Sequence, residues 1–239
     1  MFKVTNRLHL LQVIGALFLS SIYTYAQTTV DKEYAVPVIK SLKVYQKTIT
    51  ADNDQQMADL VEIIPLLQLD LRYAGKNNFM HKSLYPPVKT TYLRLPVARA
   101  LLNVQMELSK KQLALKIFDA YRPYSVTKKM WKLIHDERYV ADPHNGSGHN
   151  RGIAVDLTII DINTQKELDM GTGFDNFTDS AHHAFTQLPE IVLQNRKLLK
   201  DIMESNGFKA LETEWWHYSW TNDRNYAVLD IEFKKLKSK

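Results

Sequence analysis

The chain contains no cysteine, which excludes disulfide bridges, thiolate-bound zinc and cysteine nucleophiles. Any metal site must therefore be built from His, Asp or Glu. Glycine and proline number only 8 each among 239 residues, which excludes collagen-like and low-complexity chains. We find no internal repeat at the periods of solenoids or propellers. Hydrophobic residues make up 45% and charged residues 24%, the balance of a globular protein that can bury a full core.

The formal net charge is only +5, and it gives little reason to expect a nucleic acid as partner. The lysines are scattered along the chain, and the one dense run, Lys234–Lys239, is typical of a solvated chain end. The mild positive balance favours anionic cell-wall material only weakly.

Residues 1–26 predict an export signal. Lys3 and Arg7 form a basic segment, the mostly apolar stretch Leu10–Leu19 follows, and small residues permit cleavage after Ala26. The apolar stretch is too short and too interrupted for a membrane span, although an uncleaved N-terminal anchor is the alternative. We expect an exported protein without a stable membrane span, which is periplasmic if the source is Gram-negative.

The rest of the chain divides into a polar, loosely packed lead-in at residues 27–59 and one domain at residues 60–239. The apolar spacing predicts helices over Arg94–Leu113, Ser125–His135 and Ile191–Ser205, and strands over Leu113–Phe118, Ile153–Ile160, Trp215–Trp220 and Tyr226–Phe233. Strands do not alternate regularly with helices, which argues against a doubly wound parallel sheet. We predict an α+β fold in which helices pack on a small, mostly antiparallel sheet.

A first candidate site joins His149, which leaves a glycine-rich loop, to Asp156 in the following apolar strand. An ionised Asp is costly to bury without a partner, and a bound cation would compensate its charge. A salt-bridged core Asp beside an unrelated loop His is the alternative, and the spacing alone leaves both open.

A second candidate site is the segment Glu214-Trp215-Trp216-His217. Bulky aromatic side chains exclude water and strengthen local electrostatics. An aromatic core with a capping His is the alternative. Taken together, the two groups supply two His and one Asp, enough for a catalytic zinc that keeps its fourth position for water. Glu214 would then be free to accept the proton of that water.

Both pairs have an odd spacing, seven residues from His149 to Asp156 and three from Glu214 to His217. In a regular strand, residues at odd spacing face opposite sides. At least one member of each pair must therefore lie on a loop or a bulge. Gly148 and Gly152 allow this for the first pair, whereas the sequence offers no account of the second.

Arg122 lies at the end of a predicted strand, directly before Pro123, which restricts its backbone. The permanent charge and fixed donors of arginine suit the oxyanion of a tetrahedral intermediate. An ordinary surface arginine is the alternative.

These motifs resemble those of the zinc D-alanyl-D-alanine dipeptidases, a group that includes the vancomycin-resistance dipeptidases within the zinc D,D-peptidases of hedgehog-type fold. The matching segments occur in family order between Leu60 and Tyr218, and they are Asp70–Ala74 with Asn78-Phe79, Asp119–Pro123, Ser147–Leu157, Asp169–Asp175, Ser180–His183 and Glu214–Tyr218. The combined pattern S-x-H-x-x-G-x-A-x-D and E-W-W-H is highly specific.

The resemblance implies one zinc ion per chain, with His149, Asp156 and His217 as its ligands. It also implies Glu214 as the catalytic base and Arg122 as the group that stabilises the oxyanion. A D,D-dipeptide would lie near three further side chains, which are Asp175, Ser147 and Tyr73.

Asp175 would pair with the free ammonium of the substrate, which favours a dipeptide over a longer chain. The resistance-type enzymes act in the cytoplasm, whereas residues 1–26 of this chain predict an export signal, and this difference favours wall-fragment turnover. A D,D-carboxypeptidase that trims stem peptides is the nearest rival function. A non-enzymatic zinc module is a second rival, which the presence of Glu214 and Arg122 disfavours.

Overall fold

The computed structural model describes residues 28–221 and 224–237. The predicted export signal at residues 1–26 lies outside the described residues, so it stays a prediction. Within the described part of the chain, no helix combines the length and the apolar character needed to cross a membrane.

The described residues form ten short strands and seven helices. The strands are β1 (Thr29–Val30), β2 (Pro37–Ile39), β3 (Met57–Asp59), β4 (Gln68–Leu69), β5 (Tyr92–Arg94), β6 (Leu113–Asp119), β7 (Ala154–Asp161), β8 (Phe208–Leu211), β9 (Glu214–Trp220) and β10 (Val228–Leu229). The helices are α1 (Leu42–Ala51), α2 (Leu60–Ile63), α3 (Leu95–Ser109), α4 (Tyr124–Trp131), α5 (Gly148–Arg151), α6 (Glu190–Ser205) and α7 (Phe233–Leu236). Single 3₁₀ turns cover Asn53–Gln55, Arg72–Ala74 and Asp179–Ala181.

The main sheet has five strands in the order β4-β6-β7-β9-β8. Only β4 and β6 run parallel, and the other three pairings are antiparallel. The β-branched and apolar residues of β7 suit its position at the centre of the sheet, where seven of its eight residues are buried. The predicted α+β fold with a small, mostly antiparallel sheet is confirmed.

The two long helices cover this sheet. Helix α3 buries one stripe that includes Val97, Leu101, Val104 and Leu108, the spacing of an amphipathic helix. Helix α6 contacts both α3 and β8 and buries a similar stripe. The predicted helices over 94–113 and 191–205 are therefore confirmed, although α3 ends four residues early.

The predicted strand over Tyr226–Phe233 is wrong for most of its length. Only β10 forms a ladder, in parallel with β2, and α7 already begins at Phe233. The Tyr121 hydroxyl donates to the Ile231 carbonyl at 2.8 Å and accepts from the Ile231 N–H at 2.9 Å. A side chain thus satisfies the backbone groups that a neighbouring strand would otherwise pair.

The expectation of a loosely packed lead-in at residues 27–59 is also wrong for the part that the structure describes. Strand β2 lies between β1 and β10, with Val38 and Ile39 almost fully buried. Tyr45 is buried as well, and its hydroxyl accepts from the Met57 N–H at 2.6 Å. Most polar residues of this segment lie at the surface, while most of its apolar residues enter the core.

Candidate metal centre and active site

Three side chains from three elements converge at the centre of the main sheet. His149 comes from α5, Asp156 from β7 and His217 from β9, and one potential ligand atom of each lies within 4.8 Å of the other two. Asp156 Oδ2 lies 3.4 Å from His149 Nε2, and Asp156 Oδ1 lies 2.8 Å from His217 Nδ1. The two imidazole nitrogens are 3.3 Å apart. The structure therefore brings the three predicted metal ligands together.

Helix α5 explains how His149 and Asp156 meet despite their odd spacing. Ser147 caps this single turn, and Gly152 ends it with a φ of 72°, a left-handed conformation that glycine adopts at little cost. A Cβ at Gly152 would lie 2.7 Å from the sulfur of Met57, so a larger residue would also require the Met57 side chain to move. Strand β7 then starts at Ala154, which leaves His149 outside the strand.

A bulge in β9 explains the spacing of Glu214 and His217. Ala210 pairs with Tyr218, and the next residue of β8, Leu211, pairs with Glu214. Ala210 and Leu211 are adjacent in β8, whereas their partners Tyr218 and Glu214 are four residues apart in β9. The three residues between Glu214 and Tyr218 therefore bulge out of the β8–β9 ladder, which changes the direction of their side chains. His217 is also the direct cross-strand partner of Asp156.

The outward nitrogens of both imidazoles have partners that fix the rings. His149 Nδ1 lies 2.8 Å from the Ala120 carbonyl, which can only accept, so Nδ1 carries the proton and Nε2 presents its lone pair to the cluster. His217 Nε2 lies 3.2 Å from the Ser219 hydroxyl. Partners of this kind orient metal-ligating histidines in other proteins.

The charge state of Asp156 also suits a cation. Burial alone would raise the pKa of this carboxyl, but the imidazoles of His149 and His217 outweigh it and hold the pKa below its usual value. Two imidazole nitrogens and one carboxylate make a donor set that fits zinc and related divalent metals. The residues present therefore fit the metal that the motifs imply.

Glu214 lies at the start of β9 and is 6% exposed. Burial and the neighbouring carboxylates of Asp156 and Asp175 raise its pKa well above the usual value, while Arg122 acts in the opposite direction. Glu214 is thus held close to the cluster in an environment that increases its affinity for a proton.

Arg122 is 7% exposed, so the alternative of an ordinary surface arginine is wrong. Its Nε donates to Asp119 Oδ2 at 2.7 Å, and its Nη2 lies 3.9 Å from Asp156 Oδ2. Burial alone would lower the pKa of Arg122, but Asp119 and its other anionic neighbours hold it above the usual value. The structure thus places a permanent positive charge beside the predicted metal ligands.

Asp175 and Tyr73 lie together next to Arg122. The Tyr73 hydroxyl donates to Asp175 Oδ1 at 2.8 Å, and the Phe79 N–H donates to Oδ2 at 3.2 Å. The guanidinium of Arg122 lies over the Tyr73 ring, 4.9 Å from its centroid. Burial raises the pKa of Asp175 to about 7, although both hydrogen bonds act in the opposite direction. Asp175 also has a φ of 59°, a conformation that Asp tolerates better than most residues.

Ser147 is 7% exposed, and its hydroxyl oxygen accepts from the Asn150 N–H at 3.1 Å as the cap of α5. This local bond explains the position of Ser147 beside His149. The hydroxyl hydrogen remains available as a donor, so the predicted contact with a substrate stays a prediction.

Sequence reasoning assigned no role to two buried residues of the site, Asp119 and Asn150. Asp119 is fully buried, bonds to Arg122 and lies 3.6 Å from His149 Nδ1. Asn150 donates to the Arg122 carbonyl at 2.8 Å and to the Thr127 hydroxyl at 2.9 Å. Asp119 precedes Arg122 by three residues, and this spacing could have suggested that the two form an ion pair. No pattern in the neighbouring sequence indicated the contacts of Asn150.

Comparison with known proteins finds a family match and relatives over most of the chain. Residues 53–236 match the model of the peptidase M15 family, described as D-ala-D-ala dipeptidase. A D-alanyl-D-alanine dipeptidase of Escherichia coli strain K12 is 34% identical over 179 residues, which cover 74% of this chain and 91% of the relative. One of Enterococcus faecalis is 31% identical over 182 residues, which cover 66% and 88%. A solved LD-carboxypeptidase structure aligns over 68% of each chain with 19% identity and a TM-score of 0.39.

Proposed function

This chain belongs to the peptidase M15 family of D-ala-D-ala dipeptidases and is a metallopeptidase, and from that premise we propose that it hydrolyses D-Ala-D-Ala or a closely related D,D-dipeptide with one zinc ion. The proposal rests on one arrangement, a His-Asp-His cluster that adjoins a buried carboxyl, a buried guanidinium and an amine-binding carboxyl. The residues concerned are His149, Asp156, His217, Glu214, Arg122 and Asp175.

Each of these residues has a part in peptide hydrolysis. A zinc ion held by His149, Asp156 and His217 would supply Lewis-acid chemistry, lowering the pKa of a water molecule and polarising a carbonyl. Glu214 takes the proton of the attacking water and delivers it to the leaving amine nitrogen. Arg122 donates to the oxygen that gains negative charge as the carbonyl carbon becomes tetrahedral.

Asp175 selects the length of the substrate. Its carboxylate is held by Tyr73 and Phe79 and is partly buried, so it attracts the free ammonium of a dipeptide strongly. A longer peptide has a neutral amide at the corresponding position and would leave this carboxylate without a cation once the substrate covers it.

The rival function is that of a D,D-carboxypeptidase, which trims longer stem peptides. We would measure product release from D-Ala-D-Ala and from a pentapeptide ending in D-Ala-D-Ala, side by side and with the metal content determined. We expect the dipeptide to be hydrolysed with at least a roughly hundredfold higher kcat/KM, the size of a lost charge-assisted contact. Preference for the pentapeptide would refute the dipeptidase function and the role of Asp175.

The same assay separates a non-enzymatic zinc module from an enzyme. A zinc-loaded protein that is inert on every D,D-peptide would support the module, whereas turnover of any of them excludes it.

We further propose that the protein is exported and acts in the turnover of cell-wall fragments. The basic and apolar pattern of residues 1–26 supports export. Fractionation of cells that express the full chain tests this, and recovery of the intact, uncleaved chain from the cytoplasm would contradict it.

A further inference from the structure

Arg196 lies on the inner face of α6 and is only 5% exposed. All three of its guanidinium nitrogens donate to backbone carbonyls. Nε bonds to Met170 at 2.8 Å, Nη2 to Ser180 at 2.9 Å and Nη1 to His182 at 3.3 Å. Among the residues that the structure describes, no carboxylate lies within ion-pair distance of Arg196. Its donors therefore serve the backbone rather than a salt bridge.

The three carbonyls belong to the two ends of one irregular segment, residues 170–182, which we call the Asp175 loop. Met170 and Ala181 are buried at its ends, and Asp175 lies midway between Met170 and Ser180. The 3₁₀ turn Asp179–Ala181 is the only regular element that the structure assigns within the loop. Arg196 thus connects the entry and the exit of the segment that presents the amine-binding carboxylate.

The middle of the loop has its own contacts with the site. The Trp215 indole N–H donates to the Thr172 hydroxyl at 2.8 Å, and Asp175 accepts from Tyr73 and Phe79. These bonds hold the tip, whereas Arg196 sets where both ends of the loop begin. The non-glycine φ of 59° at Asp175 shows that the surrounding contacts define the conformation of the tip closely.

We propose that Arg196 is a positioning residue for substrate binding, which acts by fixing both ends of the Asp175 loop so that the Asp175 carboxylate meets the substrate ammonium. This proposal rests on the proposed dipeptidase function. Arginine suits the task because its planar, rigid group directs donors at three acceptors at once. Lysine keeps the charge but presents a single nitrogen on a flexible stem.

A second route from Arg196 to the site runs through Trp215, and kinetics can separate the two. The guanidinium carbon lies 6.0 Å from the centroid of the Trp215 ring, and Trp215 follows Glu214 in the chain. An effect by this route would disturb the base and lower kcat. An effect through the Asp175 loop weakens binding of the ammonium and raises KM.

The test compares the zinc-loaded wild type with Arg196→Lys on D-Ala-D-Ala. We expect KM to rise by about ten- to a hundredfold, since a displacement of about 1 Å in a binding group has effects of this size. We expect kcat to change less than about threefold and the metal content not at all. The matched control is Lys197→Ala on the exposed side of the same helix, where Lys197 pairs with Asp201, and it should behave as wild type.

A double-variant cycle with Tyr73→Phe shows whether Arg196 acts through Asp175. The Tyr73 hydroxyl holds the same carboxylate at 2.8 Å, so both substitutions loosen one group. We expect the double variant to raise KM clearly less than the product of the two single effects. Fully multiplicative effects would overturn the proposal.

Three other results also overturn the proposal. The first is an unchanged KM in Arg196→Lys, and the second is a fall in kcat without a rise in KM. The third is loss of metal, or of cooperative thermal unfolding, in both Arg196→Lys and a second variant, Arg196→Gln. The last result would make Arg196 a purely structural residue. A wild-type protein that is folded, zinc-loaded and inert on the dipeptide refutes the proposed function instead, so the two failures are distinguishable.

Discussion

The metal cluster and the Asp175 loop are two halves of one site that the chain builds in different ways. Asp156 and His217 are cross-strand partners, so the β7–β9 ladder of the main sheet sets their distance, while the short helix before β7 places His149. The Asp175 loop has little regular structure, and side-chain bonds from Tyr73, Trp215 and Arg196 set its position.

This difference indicates which substitutions should affect metal binding and catalysis and which should affect substrate binding. The ends of the central strands and the short helix α5 place the groups proposed to act on the scissile bond, so substitutions there should lower metal content or kcat. Side-chain hydrogen bonds hold Asp175, the group proposed to recognise the ammonium, so substitutions there should raise KM while the metal stays bound. The following predictions test this division, from the largest expected effect to the smallest.

Replacing a ligand of the cluster should have the largest effect. His217→Ala removes one of three ligands, so we expect the zinc content to fall from about one per chain to near zero, and activity to fall by about four orders of magnitude. Mass spectrometric metal analysis of the purified protein checks this. His144→Ala, at a histidine whose side chain is 59% exposed, is the control, and full zinc content in His217→Ala would refute the assigned ligand.

Glu214→Gln should separate chemistry from metal binding. The amide cannot accept the proton of water, so we expect kcat to fall by about 10³- to 10⁴-fold, with zinc content and KM close to those of wild type. Steady-state kinetics with metal analysis measures both, and Glu212→Gln at an exposed neighbour is the matched control. Activity within about tenfold of wild type would exclude Glu214 as the base.

Asp175→Asn should act on the other half of the site. We expect KM for the dipeptide to rise by about a hundredfold, because a neutral amide attracts an ammonium far less than a carboxylate does. Zinc content should remain at one per chain. A loss of zinc that matches the loss of activity would show that the two halves are not independent.

The same variant makes a prediction about stability and pH. The pKa of Asp175 is about 7 in the folded protein against 3.8 for an ordinary Asp, so the folded state binds this proton more tightly than the unfolded state does. Wild-type stability is therefore lost as the pH rises from about 4 to 7, by about 1.4 kcal/mol for each unit of pKa difference.

The amide that replaces this carboxyl in Asp175→Asn cannot ionise, so the stability of the variant relative to wild type should increase between about pH 5 and pH 8. Urea unfolding at both pH values, with both proteins in the same metal state, measures this change. An unchanged or decreasing difference would contradict the raised pKa.

Asn150→Ala should have the smallest effect. It removes the hydrogen bonds that connect helix α5, which carries His149, to the segment that contains Arg122 and Thr127. It leaves the buried Arg122 carbonyl and the Thr127 hydroxyl without their donor, so we expect a loss of about 1–3 kcal/mol in the free energy of unfolding. Because Arg122 then shifts slightly, kcat should fall by about threefold to tenfold. Chemical denaturation and kinetics check both values, and an unchanged kcat would leave Asn150 with a structural role alone.

Much of the fold could be predicted because it depends on local patterns. The apolar stripe of α3 and the continuous apolar run of β7 are properties of neighbouring residues. The strand predicted over 226–233 was wrong because its end depends on a remote hydroxyl, that of Tyr121. The packing of residues 27–59 was misjudged because the composition of a segment does not show which of its residues will be buried against the rest of the protein.

The sequence by itself determined the chemistry of the site: which side chains can bind a metal, accept a proton, hold an oxyanion or attract an ammonium. Those properties belong to residue types in specific motifs, and the motif order identified them. Only the tertiary structure decided that these groups face one another, through the left-handed turn at Gly152, the bulge in β9 and the grip of Arg196 on the Asp175 loop. The turn and the bulge each form within a few residues of the chain, whereas the pairing of β7 with β9 and the hydrogen bonds of Arg196 join segments far apart in the sequence, and residue spacing alone does not predict such contacts.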